Sequence, residues 1–175
     1  MCTVALLHRP GHAWPVMLAA NRDEVIARPW DAPAAWWPDL PGLVGGRDRT
    51  AGGTWMALNR QGVACCVLNR PGSLGPAPGK RSRGELPLIA LAEPDLHAAA
   101  DAILRLDAGR WRSFNLVLAS RDGAVFVRGL ARGRPEGWKL PEGVSMVNSV
   151  IHCCICQSFR SPASQGRSSG RSGRP

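Results

Sequence analysis

Over most of its 175 residues the chain alternates short apolar runs with clusters of turn-forming residues. Residues 3–7 and 16–20 are apolar and of strand length, and the polar stretch between them holds Pro10 and Gly11, so the pair predicts a hairpin. Residues 55–58 and 63–68 flank Asn59-Arg60-Gln61-Gly62 and predict a second hairpin. Residues 114–120 and 124–128 flank Arg121-Asp122-Gly123 and predict a third, and a last strand is expected at 144–148. Between the second and third hairpins the period changes. An apolar run over 85–91 is followed, after Pro94, by Leu96, Ala99, Ala100, Ile103 and Leu104, the recurrence of one buried helix face, with His97 off the stripe and solvent-facing. Three hairpins around a helical pair, without strand-helix-strand alternation, predict a mainly antiparallel α+β fold built in layers.

Two stretches resist this pattern. Residues 28–42 are rich in Pro, Trp and Asp, carry Trp30, Trp36 and Trp37, and are expected to form a long loop over the core or a pocket mouth. Gly45, Gly46, Gly52 and Gly53 precede no Lys-Ser/Thr pair, so a phosphate loop is excluded and a tight turn with close backbone approach is expected.

An apolar share of 45% and seven tryptophans suffice for one domain, taken to span residues 1–149. Beyond that point come His152-Cys153-Cys154-Ile155-Cys156 and a Ser/Gly/Arg run without acidic residues, read as a disordered tail over 150–175. The His-Cys cluster lacks the paired spacing of a structural zinc site, and no metal is expected. The formal charge is +9, of which four tail arginines contribute +4, and the remaining basic residues are scattered without an aromatic stripe. Nucleic acid is therefore not an expected partner. No stretch approaches the roughly 20 apolar residues of a membrane span, and no leader pattern opens the chain, so a cytoplasmic protein with reduced thiols is expected. Adjacent Cys65 and Cys66 must face opposite sides of their strand and are read as packing residues.

The candidate chemistry lies at the start. Methionine before a small residue is usually trimmed, which would leave Cys2 with a thiol and a free α-amine on one carbon. An amine with a reference pKa of about 8 can take the proton of a thiol of about 8.5, so the residue is a self-contained nucleophile and base. The second strand runs into Asn21-Arg22-Asp23-Glu24, four polar groups at a strand end, where a rigid element presents its last side chains at an open rim.

With Cys2, the Asn21-Arg22-Asp23-Glu24 run, Arg28-Pro29, Gly45-Gly46-Arg47-Asp48, Gly52-Gly53-Thr54-Trp55, Asn69-Arg70, Arg81-Ser82-Arg83-Gly84-Glu85-Leu86 and Phe114-Asn115-Leu116 in this order, the chain resembles the NRDE family of transport and Golgi organisation 2 proteins. The resemblance covers residues 1–149. It implies an N-terminal-nucleophile hydrolase type of fold, a four-layer α-β-β-α sandwich with the nucleophile on the first strand, here incomplete at the C-terminus. Choloylglycine hydrolases and penicillin V acylases share the Met-Cys start, a polar motif after the second strand and Leu-Asn-x-Pro-Gly after a hairpin, matched here by Leu68-Asn69-Arg70-Pro71-Gly72. On that match Asp23 would orient the Cys2 amine and Asn69 would donate to the oxyanion. The hydrolases' arginine falls at Ala20, so Arg22 would take its role only with a different turn, and Asn148 would match their late asparagine.

The resemblance implies a small-molecule substrate or ligand and, as one activity, cleavage of a non-peptide amide without a cofactor. As alternatives it implies a non-catalytic role in haem or lipid handling, secretion and Golgi organisation, with haem as a ligand near Cys2. The abrupt loss of family pattern after Ser149 adds a further reading, a truncated or frameshifted fragment without function. No oligomeric state is read from the pattern.

Overall fold

The computed structural model describes residues 2–149 and the backbone of 152–154. Eleven strands and two α-helices follow in the order β1 (Thr3–His8), β2 (Val16–Asn21), β3 (Trp30–Ala34), β4 (Val44–Asp48), β5 (Met56–Leu58), β6 (Ala64–Asn69), α1 (Leu86–Leu91), α2 (Leu96–Leu104), β7 (Phe114–Ser120), β8 (Gly123–Gly129), β9 (Glu136–Lys139), β10 (Gly143–Asn148) and β11 (His152–Cys154). Two wholly antiparallel sheets result, one in the order β11-β10-β1-β2 and one in the order β3-β4-β5-β6-β7-β8-β9.

The sheets pack face to face, and the helices cover the far side of the larger one. Period-2 alternation separates the two interfaces residue by residue. On β7, Phe114, Leu116 and Leu118 meet Leu86, Ala90, Ala99 and Ile103 of the helices, whereas Val117 and Ala119 meet Val4 and Leu6 of β1 and Val147 of β10. Every residue of β7 is consequently buried, which is why its sequence is a continuous apolar run broken by Asn115. Cys65 and Cys66 divide in the expected way, the first into the helix-side core and the second into the layer between the sheets. The helical stripe holds too: Leu96, Ala99, Ala100 and Ile103 are buried, His97 is exposed, and Asp95 caps α2 by accepting from the amides of His97 and Ala98.

The observed architecture is the expected α+β class, with three of the four layers, α-β-β, present among the described residues. No described helix lies on the outer face of the four-stranded sheet, where Met17 and Val144 are 54% and 40% exposed. Nor is any described helix long and apolar enough to cross a membrane.

Three local expectations need correction. The stretch expected to be a long loop contains β3, an edge strand in which Pro33 is tolerated because that edge donates to no neighbour, and whose register with β4 shifts between Asp31 and Ala34. Gly45 and Gly46 lie in β4 and not in a tight turn, but the close approach is real. A Cβ on Gly45 would meet that of Ala57 at 2.7 Å, and one on Gly46 would meet the Trp55 ring at 2.8 Å. Strand β9 went unanticipated because it is an exposed edge with no apolar alternation, held by Trp138 stacked on Phe126 at 5.7 Å. Within the stretch 150–175 expected to be a disordered tail, His152–Cys154 instead forms β11, paired along β10, and the rest of that stretch lies outside the described residues.

Gly53 is tighter than either Gly45 or Gly46, since a Cβ there would fall 2.4 Å from the Gly84 carbonyl. Gly53→Ala should lower stability by about 1–3 kcal/mol through backbone displacement, read as a drop in urea midpoint at constant m-value. An unchanged midpoint would show that the two loops do not need this contact.

Candidate active site

The strand ends at one rim of the sandwich bring the candidate residues together. Thr3, at the start of β1, pairs on one side with Asn21 at the end of β2 and on the other with Asn148 at the end of β10. Across the gap between the sheets, β6 ends at Asn69 opposite Phe114, which opens β7. Cys2 thus enters β1 between two asparagines, above a cleft walled by Cys2, Val4, Ala20, Asn21, Arg22, Trp55, Met56, Cys66, Val67 and Leu68. The cleft is narrow, about 20 Å³, room for little more than one water.

The Cys2 sulfur lies against the connection after β2. The Asp23 amide donates to Sγ at 3.3 Å and the Asp23 carbonyl is 3.8 Å away, while the Thr3 amide donates to Asn21 Oδ1 at 2.8 Å. Half-buried, the Cys2 thiol is pushed above its ordinary pKa by desolvation; the charged amino terminus opposes the shift most, Glu24 adds to it, and Arg22 and then Arg83 oppose it less. Cys66, across the cleft, is pushed up to about 12 by burial alone and is a wall, not a second nucleophile.

Arg22 is laid flat over the cleft wall. Its guanidinium carbon sits 4.1 Å from the Trp55 ring centroid, Trp30 abuts Trp55 edge-on at 5.9 Å, and Arg22 Nη2 is 3.8 Å from Glu24 Oε2. Glu24 in turn lies 4.0 Å from Arg28, whose Nη2 donates to Asp48 Oδ2 at 2.6 Å. This ion-pair chain ties the polar connection after β2 to the end of β4. Burial works to raise the Asp48 carboxyl, but hydrogen bonds from Arg28 and from the Thr50 amide outweigh it and hold the group below its ordinary value.

Of the residues singled out in the sequence, Cys2, Arg22 and Asp23 meet directly or through the cleft. Asn69 follows Leu68, which lines the same cleft, and Asn148 lies beside Thr3. Asn115 and Trp55 are site-forming residues that the sequence left without a role. Asn115 is buried on the face between the sheets, donates from Nδ2 to the Asn148 carbonyl at 2.9 Å and accepts from Arg70 Nη1 at 2.6 Å, so it stitches the two sheets at the rim. An amide inside an otherwise apolar strand is its sequence signal. Trp55 stood in the Gly52-Gly53-Thr54-Trp55 motif without a role, because its role rests on Arg22 and Trp30 folding against it.

Residues 1–150 match the sequence profile of Transport and Golgi organisation 2. The chain belongs to that family. No curated protein sequence matches it significantly. Among solved structures it is similar to a Caenorhabditis elegans ortholog of N-acylethanolamine-hydrolyzing acid amidase, with a TM-score of 0.64 at 10% identity over 86% of this chain and 70% of that one. A variant of conjugated bile acid hydrolase from Clostridium perfringens aligns with a TM-score of 0.43 at 11% identity, over 82% of this chain and 44% of that one. The first likeness places this family member in the N-terminal-nucleophile hydrolase fold class expected from its motifs.

The lowered carboxyl of Asp48 gives a pH test of the ion-pair chain. A group depressed in the folded state contributes stability that is complete above its unfolded value, about pH 4, and that fades as pH falls through the folded value. The gap in urea midpoint between the native chain and Asp48→Asn should therefore be constant from about pH 5 to 7 and narrow below pH 4. A gap of unchanged size at pH 2.5 would mean that Asp48 acts through packing and not through charge.

Proposed function

We propose that this chain is an N-terminal cysteine amidohydrolase acting on a small, non-peptide amide. The observation that carries the reading is the seat of Cys2: at the mouth of an apolar cleft, at the entry to β1, an inner strand of its sheet, with its sulfur held by the Asp23 backbone amide at 3.3 Å. Loss of Met1 would free the α-amine beside that sulfur. The amine takes the thiol proton, the sulfur attacks the amide carbonyl, and the tetrahedral oxyanion collapses as the amine returns the proton to the leaving nitrogen. Water then hydrolyses the thioester by the same base and regenerates the thiol.

A thiol raised by burial stays protonated near neutral pH, so a base on its own residue answers the need that the cleft creates. Asn69 would donate to the oxyanion, Asp23 would orient the amine, Asn148 would close the rim beside Thr3, and Arg22 would cover the entrance from its place on Trp55. The C. elegans neighbour is named for hydrolysis of N-acylethanolamines, which are non-peptide amides, and this supports the choice of substrate class.

Intact-mass measurement should show a chain without Met1 and, on mixing with a panel of small acyl amides, a covalent acyl adduct on Cys2. Cys2→Ala should abolish the adduct and reduce turnover to background, and Asn69→Ala should lower kcat by about 100- to 1,000-fold. Equal turnover in the native chain and Cys2→Ala would end this proposal.

A further inference from the structure

We infer that β2 is an interface strand: its free edge pairs antiparallel with β2 of a second copy of this chain, joining the two four-stranded sheets into one. The inference is independent of any reaction at Cys2.

The two sheets end in β11, β2, β3 and β9, and three of these edges carry a feature that discourages pairing. Strand β3 holds Pro33 and shifts register against β4. Strand β9 is four residues long with Glu136 and Lys139 at its ends, and β11 spans only His152–Cys154. Proline, irregularity, charge and shortness are the means by which a sheet edge avoids adding a strand from another molecule. Strand β2 has none of them. Its six residues, Val16-Met17-Leu18-Ala19-Ala20-Asn21, include no charge, proline or glycine, and all six pair with β1 without a shift. Among the described residues β1 is its one strand neighbour, so every second residue turns its amide and carbonyl outward. Met17 is 54% exposed, and Ala19 and Ala20 are exposed beside it.

The composition of the strand says what fits it. Outward backbone groups accept any extended chain, and the side chains select among them. A two-fold axis normal to the sheet at Leu18 sets Leu18 opposite its copy, Met17 opposite Ala19 and Val16 opposite Ala20. Every such pair is apolar and shares a face, which is the self-complementarity an isologous contact requires. Elsewhere the formal charge of +9 opposes association, so an uncharged strip is where two copies can meet. Each chain has one such edge, and pairing closes at two.

The interface also adjoins the candidate site. Ala20 pairs with Val4 and shares its inner face, yet it is exposed and lines the cleft, so the cleft opens beneath this edge. A copy of β2 laid alongside lengthens the sheet over that opening.

The test is light scattering on the full chain during size-exclusion chromatography. A six-residue edge buries less than the roughly 800 Å² per partner of a standard interface, so dissociation in the micromolar range is expected. The mass should therefore rise from one chain at about 1 μM to two at about 200 μM, and added salt should strengthen the dimer by screening like charges. Met17→Lys/Ala19→Lys and Met17→Glu/Ala19→Glu each set like charges opposite one another and should stay monomeric, while an equimolar mixture of the two should dimerise. Val144→Lys, on the outer face but two strands from the edge, should leave the dimer intact. Should the paired-charge variants fail to fold, hydrogen exchange on the native chain decides, with outward amides of β2 slowed about tenfold at the higher concentration. A single chain mass at 200 μM, growth beyond two chains, exchange in β2 that ignores concentration, or a dimer lost only in Val144→Lys, which would mean stacking of outer faces, overturns the inference.

Discussion

The constraint on which the site depends is the position of β1, hydrogen-bonded along both edges and buried on one face. Strand β1 pairs residue by residue with β2 and with β10, and Val4 and Leu6 fill the layer between the sheets at 2% exposure each. Side chains on a strand alternate faces, so burying Val4 and Leu6 forces Cys2 to the same side. A slip of one residue would turn the sulfur to the outer face and expose both core residues at once. The apolar layer that stabilises the sandwich is therefore also the device that aims the thiol into the cleft.

Around that aimed sulfur the polar chemistry divides into two kinds. The connection after β2 is held by ion pairs, from Arg22 to Glu24 to Arg28 to Asp48, stiffened by the stacking of Arg22 on Trp55. The opposite side is held by neutral acceptors. Asn115 bridges Arg70 to the Asn148 carbonyl, and Arg112 donates to the carbonyls of Gly72, Leu74, Gly75 and Pro76, so the loop after Asn69 wraps around a cation. Ion pairs thus lie on the side that touches the sulfur, and arginines held by neutral acceptors on the side that carries the proposed oxyanion donor. An oxyanion developing there would meet a field already in place, with no reorganisation required as it forms.

Much of this was legible before any coordinates. The hairpins over β1–β2, β5–β6 and β7–β8 follow from apolar runs bounded by turn residues, and α2 follows from one helical stripe, because each pattern reports a single buried face. Strands β3 and β9 were not legible: both are sheet edges, β3 with Pro33 and β9 exposed throughout, and an edge need not bury a face to be held by its neighbour. Within the site, Cys2, Arg22, Asp23, Asn69 and Asn148 could be named from ordered motifs. Asn115 and Trp55 each stood within a motif without a role of their own.

The sequence by itself determined the alternation that makes two sheets and a helical layer, the division of Cys65 and Cys66 between two cores, and the placement of polar groups at strand ends. Each of these is a property of neighbours along the chain, read through the period of a strand or a helix. Tertiary structure alone decided which strand ends share a rim, that Arg22 lies on Trp55, and that Arg83 reaches Ser73 and Ser113. These depend on residues tens of positions apart meeting across a packed interface, which no period along the chain reports.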